Sequence, residues 1–427
     1  MNLATLNVFQ RLARQWDVIH PYNAAQILKI QGAPDADLWQ NAWHDALNDL
    51  GLGRIHFEGR RYHFECLNGE MSHYGVRVLE QGSQNLEEFI SEQLNRRFDN
   101  PSEPPFRPFI LVENGYYYAG VVYSHWVADS VSIRVVLREW FVRVFDAAMA
   151  SRTPVRLASG GYRRFFGAGG GAAIGHGLMT AAHWASMLRR ARRVEVRRGY
   201  DCSVRWTMRY TPEDWVFALL AAARRRGATL NDLFMAGLAG VCERHLPLQH
   251  RRHRKSLVLG AIVDLRQYVD SSAADAFGLF LGFTNVVCRS AELLDPERLV
   301  KSIALQNAQH KRRGIAQASA FRMLAGVLTG ALMRADNQPH FYQKHVPISG
   351  GVSNVNMNRS WATEYHPRPL LDYIRVSPTG PSMPLVFATT TLGNQMHFGI
   401  TYRPSIVSPE SVDPMARTFV DFLGGFC

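Results

Sequence analysis

Tyr117-Tyr118-Ala119-Gly120-Val121-Val122-Tyr123-Ser124-His125-Trp126-Val127-Ala128-Asp129-Ser130 is the stretch on which the reading of this chain turns. Its first seven residues are aromatic, β-branched or small, the composition of a strand. Upstream, Phe109-Ile110-Leu111-Val112 is a second run of this kind, and Glu113-Asn114-Gly115-Tyr116 separates the two. Asn-Gly between β-rich runs is the strongest short hairpin signal. Downstream, Ile133, Val136, Leu137, Trp140, Phe141 and Val144 recur at the three-and-four spacing of a helix with one buried face. Arg134, Arg138 and Arg143 fall off that stripe and are expected in solvent. His125 and Asp129 therefore sit at a strand-to-helix junction. Taken alone, a histidine four residues before an aspartate is the pattern of a partly buried His beside a capping Asp.

With 427 residues the chain exceeds the size at which one core keeps growing, so two lobes are expected. The first is assigned to residues 1–155, a crossover linker to 156–200 and the second lobe to 201–427. Residues 167–188 contain no Asp, Glu, Lys or Arg, yet Arg163-Arg164 and Arg189-Arg190 flank them. Their six glycines and two histidines argue against a spanning helix, which needs about twenty predominantly apolar residues. A mobile linker and peripheral membrane contact through residues 163–193 both remain as readings. In the second lobe, Thr229-Leu230-Asn231-Asp232 has the form of a helix start. Runs at 257–263, 284–288, 385–391 and 396–402 read as strands, the first ending at Asp264-Leu265-Arg266. Strands and helices mix in both lobes, which predicts an α/β or α+β two-lobed sandwich.

Hydrophobic residues make up 47% and charged residues 20% of the chain, ordinary for a packed protein and incompatible with extended disorder. Lys and Arg number 48 against 36 Asp and Glu, a formal charge of +12, which favours anionic partners. The basic runs are short, scattered and without a helix-turn-helix, zinc-finger or RNA-reading signature, so nucleic acid is not expected. Cys66, Cys202, Cys242, Cys288 and Cys427 are odd in number and widely spaced. That spacing reads as free thiols in a reducing compartment with no zinc site. The N-terminal stretch lacks the order of a secretory signal, and a cytoplasmic location, peripheral to the inner face of the membrane at most, is expected.

Residues 98–132 resemble the heart of the condensation-domain superfamily, most closely its wax ester synthase/diacylglycerol acyltransferase branch and the polyketide-associated acyltransferases. Pro104-Pro105-Phe106-Arg107 stands where that family has Pro-Leu-Trp, Asn114-Gly115 makes the hairpin, and Ser124-His125-Trp126-Val127-Ala128-Asp129-Ser130 aligns with its His-His-x-x-x-Asp-Gly signature. Further on, Thr229 to Leu233, Val263 to Arg266, Ser353-Asn354-Val355 and residues 396–404 resemble four more family elements in family order. Two positions depart: Ser124 replaces the first histidine, and Ser130 the closing glycine. The Asp-Phe-Gly-Trp-Gly element of the plant branch is absent.

The resemblance implies a chloramphenicol-acetyltransferase-like fold of two lobes, with the active site in a channel between them. It implies an acyltransferase that moves an acyl group from a thioester to a hydroxyl or amine by direct transfer, with His125 as general base. Asp129 is then a structural partner of Arg266, or an orienter of His125. Asn231, Ser353 and Asn354 are candidates for polar groups at the channel or the oxyanion. Asn231 reads equally as helix-start support, Asn354 as a turn former and Trp126 as core or channel wall; Ser124, in the lost histidine's place, is a further channel or oxyanion candidate. The donor is acyl-CoA or a phosphopantetheine-linked acyl group on an acidic acyl-carrier protein, and the acceptor a small alcohol or amine. No tightly bound cofactor or metal is expected. A free-standing nonribosomal-peptide-type condensation enzyme, and an inactive docking module of the same fold, are the alternatives.

Overall fold

The computed structural model describes residues 3–66, 74–99, 101–157, 170–195, 201–249, 253–268, 275–359 and 363–427. In chain order the first part forms β1 (Ala4–Thr5), α1 (Val8–Ile19), β2 (Asn23–Gln31), α2 (Ala36–Leu50), β3 (Arg54–Glu58), β4 (Arg61–Glu65), β5 (Arg77–Leu79), α3 (Leu86–Asn95), β6 (Phe106–Glu113), β7 (Tyr116–Ser124) and α4 (Ser130–Phe145). After α5 (Gly170–Arg190), the second part forms β8 (Arg205–Tyr210), α6 (Trp215–Arg225), α7 (Leu230–His245), β9 (Ser256–Asp264), β10 (Leu281–Arg289), α8 (Pro296–Arg312), α9 (Ile315–Ala331) and α10 (Gln338–His345). It closes with β11 (Gly350–Asn356), β12 (Leu370–Val376), β13 (Leu385–Leu392), β14 (Gln395–Tyr402) and α11 (Val412–Gly424).

Two large sheets carry the architecture. One runs β12-β2-β7-β6-β5, the other β10-β9-β11-β13-β14-β8, and a small sheet β1-β4-β3 stands beside them. The hairpin read from Asn114-Gly115 is present: Glu113 pairs with Tyr116, and Gly115 takes φ 80°, where a side chain would be strained. The first sheet borrows β12 from late in the chain, so residues 370–376 belong to the sheet of the first lobe although the linear division put them in the second. Short-range pattern cannot reveal such a crossover.

α4 follows the expected stripe, with Ile133, Val136, Leu137, Trp140 and Phe141 buried. Its arginines do not all stay in solvent. Packing of α2 against α4 covers a second face, and Arg143, 7% exposed, donates to Asp49 and Glu139 at 2.7 Å each. Arg134 turns to an internal cavity instead.

The crossover is not a bare linker. Residues 170–190 are helical, and α5 packs on α9. Leu188 and Ala191 are buried with Val258 and Ile348, and Trp184 and Met187 pack against them. Over 181–190 the exposed positions are Ala182, His183, Ala185, Ser186, Arg189 and Arg190. That face offers no large apolar residue for a membrane. Residues 163–169, at the start of the segment read for membrane contact, lie outside the described residues. Among the described residues no helix is long and apolar enough to cross a membrane.

Candidate active site

His125 follows directly on β7, where the strand must end before Asp129 caps α4. Its backbone N–H donates to the Tyr22 carbonyl at 2.9 Å. The imidazole is stacked on the Tyr22 ring at 5.5 Å and meets Tyr123 edge-on at 5.6 Å. Nδ1 lies 2.8 Å from the Ala128 carbonyl oxygen. A carbonyl can only accept, so Nδ1 carries the hydrogen and Nε2 keeps the lone pair. Burial lowers the His125 pKa below 6.5; the Ala128 carbonyl and Asp129 oppose this, and the Arg375 charge adds to it. At neutral pH the ring is therefore neutral, with Nε2 able to accept a proton.

Asp129 does not orient that ring. One carboxylate oxygen accepts the Val131 and Ser132 amides at 3.1 Å, capping α4. The other accepts the Phe280 amide at 2.9 Å and the Arg266 guanidinium. Arg266 also donates to Ser132 Oγ at 2.9 Å and to the Ala276 and Gly278 carbonyls. Burial works to raise the Asp129 pKa, but Arg266 and these amides hold it below the usual carboxylate range. The pair thus fastens the start of α4 to the segment after β9.

His125 opens on a cavity of about 380 Å³, within the range of small-molecule sites. Ser353 and Asn354 reach it from β11, which lies between β9 and β13. Asn354 is in mid-strand rather than in a turn. Its Oδ1 accepts from Thr389 at 3.1 Å, which turns its Nδ2 into the donor end. Three other predicted residues lie elsewhere. Trp126 is core, packed on Phe57 and Tyr62 with Arg14 over its ring. Asn231 lies in the first turn of α7, away from the cavity, because the Thr229–Asp232 capping box fixes that turn with Asp232 inward against Asn307. Ser124 closes β7, fully buried, its Oγ without a hydrogen-bond partner among the described residues.

Arg375, on β12, was not foreseen. It lines the cavity fully buried and donates to Ser353 Oγ at 2.8 Å. Burial pulls its pKa down to about 10. Gln26 on β2 accepts from the Tyr373 hydroxyl and donates to the Ser130 carbonyl at 3.1 Å, tying β12 to the motif. A lone arginine inside the apolar run Tyr373-Ile374-Arg375-Val376 was the available signal. Asp264 also lines the cavity, with its pKa raised by burial. Among the described residues no cluster of His, Cys, Asp and Glu is arranged to hold a metal.

Solved structures share this arrangement of elements over the whole chain. The trichothecene 15-O-acetyltransferase TRI3 from Fusarium sporotrichioides matches with a TM-score of 0.73 at 11% identity, covering 100% of this chain and 96% of its own. The first condensation domain of the calcium-dependent antibiotic synthetase matches with 0.66 at 14% identity, covering 99% and 95%. Polyketide synthase associated protein 5 from Mycobacterium tuberculosis matches with 0.64 at 14% identity, covering 98% and 97%. No protein-family model matches the sequence, and no curated protein is significantly similar to it. The chain has the two-lobed chloramphenicol-acetyltransferase-like fold of condensation domains and of this acetyltransferase.

Proposed function

We propose that this protein is an acyltransferase that moves an acyl group from a thioester to a hydroxyl or amine, with His125 as general base. The observation that carries the reading is a neutral imidazole whose Nδ1 hydrogen is committed to the Ala128 carbonyl and whose ring opens on the cavity. Nε2 takes the proton of the acceptor O–H or N–H as that atom attacks the thioester carbonyl carbon. The C–S bond breaks as the tetrahedral oxyanion collapses, and the leaving thiolate takes the proton back from the imidazolium. Nothing in this sequence needs a covalent acyl-enzyme or a metal. Arg375, Ser353 and Asn354, on the same cavity wall, are the fixed polar groups available to the oxyanion. Ser124 costs little in this scheme, because the position of the first signature histidine lies outside the cavity.

The fold also serves the first condensation domain of the calcium-dependent antibiotic synthetase, so the donor is either acyl-CoA or an acyl group on a carrier protein. The basic surface suits both. Purified protein offered each donor with alcohol and amine acceptors should release free thiol only when donor and acceptor are both present. Acceptor-dependent release with the carrier donor but not with acyl-CoA would favour the condensation-type enzyme. No release with any pair would contradict the acyl-transfer reading and leave a docking module.

A further inference from the structure

Away from His125 the cavity wall carries a second polar group that acyl transfer does not use. Arg322, on α9, is 9% exposed and lies among aromatic rings: its guanidinium stands 4.4 Å from the Phe283 centroid and 5.2 Å from that of Trp184. Two of its nitrogens are engaged. Nη1 donates to Asn285 Oδ1 at 2.9 Å and Nη2 to the Phe283 carbonyl at 2.9 Å. Trp184 Nε1 donates to the same Asn285 oxygen at 3.2 Å. Two donors are left over in the buried wall: Arg322 Nε and Asn285 Nδ2 have no hydrogen-bond partner among the described residues.

A buried guanidinium normally has a carboxylate beside it, since an uncompensated charge in apolar surroundings is costly. Among the described residues no Asp or Glu is within ion-pair distance of Arg322. The titratable ring that feels its charge, His310, is another base, held neutral by burial with its pKa down at about 4. Burial likewise pulls the Arg322 pKa down to about 9, which leaves the group charged at neutral pH.

Two glycines stand in register with Asn285 on the neighbouring strands. Asn285 pairs with Gly260 across β10 and β9, and Gly260 pairs with Gly351 across β9 and β11. A Cβ on Gly260 would stand 3.8 Å from Asn285 Nδ2, and one on Gly351 would press on Met383 Sδ at 3.0 Å. Both glycines, Trp184, Asn285 and Arg322 line the cavity that His125 lines.

A structural role accounts for the two bonds that Arg322 makes, since they tie α9 to β10. It does not account for a full charge with no counter-ion, nor for a second stranded donor on a residue of the same cavity wall. Both are what an anionic ligand group would complete.

We propose that Arg322 and Asn285 form an oxyanion-binding subsite, so that the molecule entering the cavity carries a carboxylate or phosphate on an apolar body. The inference rests on the acyl-transfer reading only in making that molecule a substrate; anion binding itself needs no turnover. The apolar remainder of the ligand lies against Trp184 and Phe283, and the charged end takes the hydrogens of Arg322 Nε and Asn285 Nδ2.

Calorimetric titration of the full chain with octanoate, octyl phosphate and 1-octanol tests this directly. The account expects at least one of the two anions to bind about tenfold or more tighter than the alcohol of equal chain length. Which anion wins distinguishes carboxylate from phosphate. Arg322→Met should abolish the preference while leaving octanol affinity unchanged. Asn285→Asp places a carboxylate where Arg322 already donates, and should also abolish the preference while keeping the fold. That second variant keeps the test decisive if the first does not fold. Equal binding of anions and octanol to the wild type, or a preference that survives Asn285→Asp, would overturn the proposal. His125→Ala should retain the preference, so loss of turnover and loss of anion binding are separable results.

Discussion

His397 and His125 divide along an unexpected line. His397, on β14, is 1% exposed and has a carboxylate at its ring, with Asp372 Oδ2 3.3 Å from Nδ1. Tyr210 donates to that same oxygen at 2.9 Å. Burial opposes the Asp372 charge, but His397, Tyr210 and the Tyr373 amide hold its pKa low. This looks like a catalytic dyad, yet His397 does not line the cavity, and its Nε2 has no hydrogen-bond partner among the described residues. His125 has an aspartate four residues on that bonds elsewhere, and its own Nδ1 rests on a carbonyl. The comparison teaches that a His–Asp spacing, or even a His–Asp contact, does not define a base. On the proposed reading it is access to the cavity that singles out His125.

The sharpest way to break the comparison is to remove each ring in turn. His125→Ala should leave the fold intact and lower thiol release by about 10²- to 10⁴-fold. The carboxylates separate next. Asp129→Ala removes the fully buried carboxylate of the Arg266 pair and should cost about 3–5 kcal/mol in urea unfolding, with inclusion bodies as the extreme case. His397→Ala should keep turnover near wild type and cost about 1–3 kcal/mol, because Asp372 loses a buried partner.

A smaller effect sharpens the electrostatic side. The working form of His125 is neutral and its pKa is lowered below 6.5, so kcat/KM should stay flat as pH falls to about 6.5 and decline only below it. Arg375→Met removes a like charge and should move that decline to higher pH; a limb that stays in place would show that the Arg375 charge does not reach the ring. Smallest of all, Ser124→Ala removes an unpartnered buried hydroxyl and should change stability by no more than about 0.5 kcal/mol.

Much of this site was legible because its signals are local. The Asn114-Gly115 turn fixes a register, the β-rich run of β7 ends at Ser124, and Asp129 precedes a three-and-four stripe. Those features place His125 at a strand end without any structure. The Asp129–Arg266 pair spans 137 residues and came only through the family resemblance. The parts that stayed hidden are long-range. β12 joins β2 across most of the chain, which brings Arg375 beside a motif some 250 residues earlier. Asn231 and Trp126 were ambiguous because a polar residue at a helix start and an aromatic beside a base each fit two environments equally well. The capping box decided the first, and the Phe57–Tyr62 cluster the second. Arg322 and Asn285 lie inside apolar runs, and only the folded packing shows that their donors are left over.

The most direct test of the account is thiol release from one productive donor–acceptor pair, measured side by side for the wild type, His125→Ala and His397→Ala at matched folded content by circular dichroism. The account predicts a loss of at least about a hundredfold for His125→Ala alone. A folded His125→Ala protein turning over at the wild-type rate, or a folded His397→Ala protein that is dead, would contradict it.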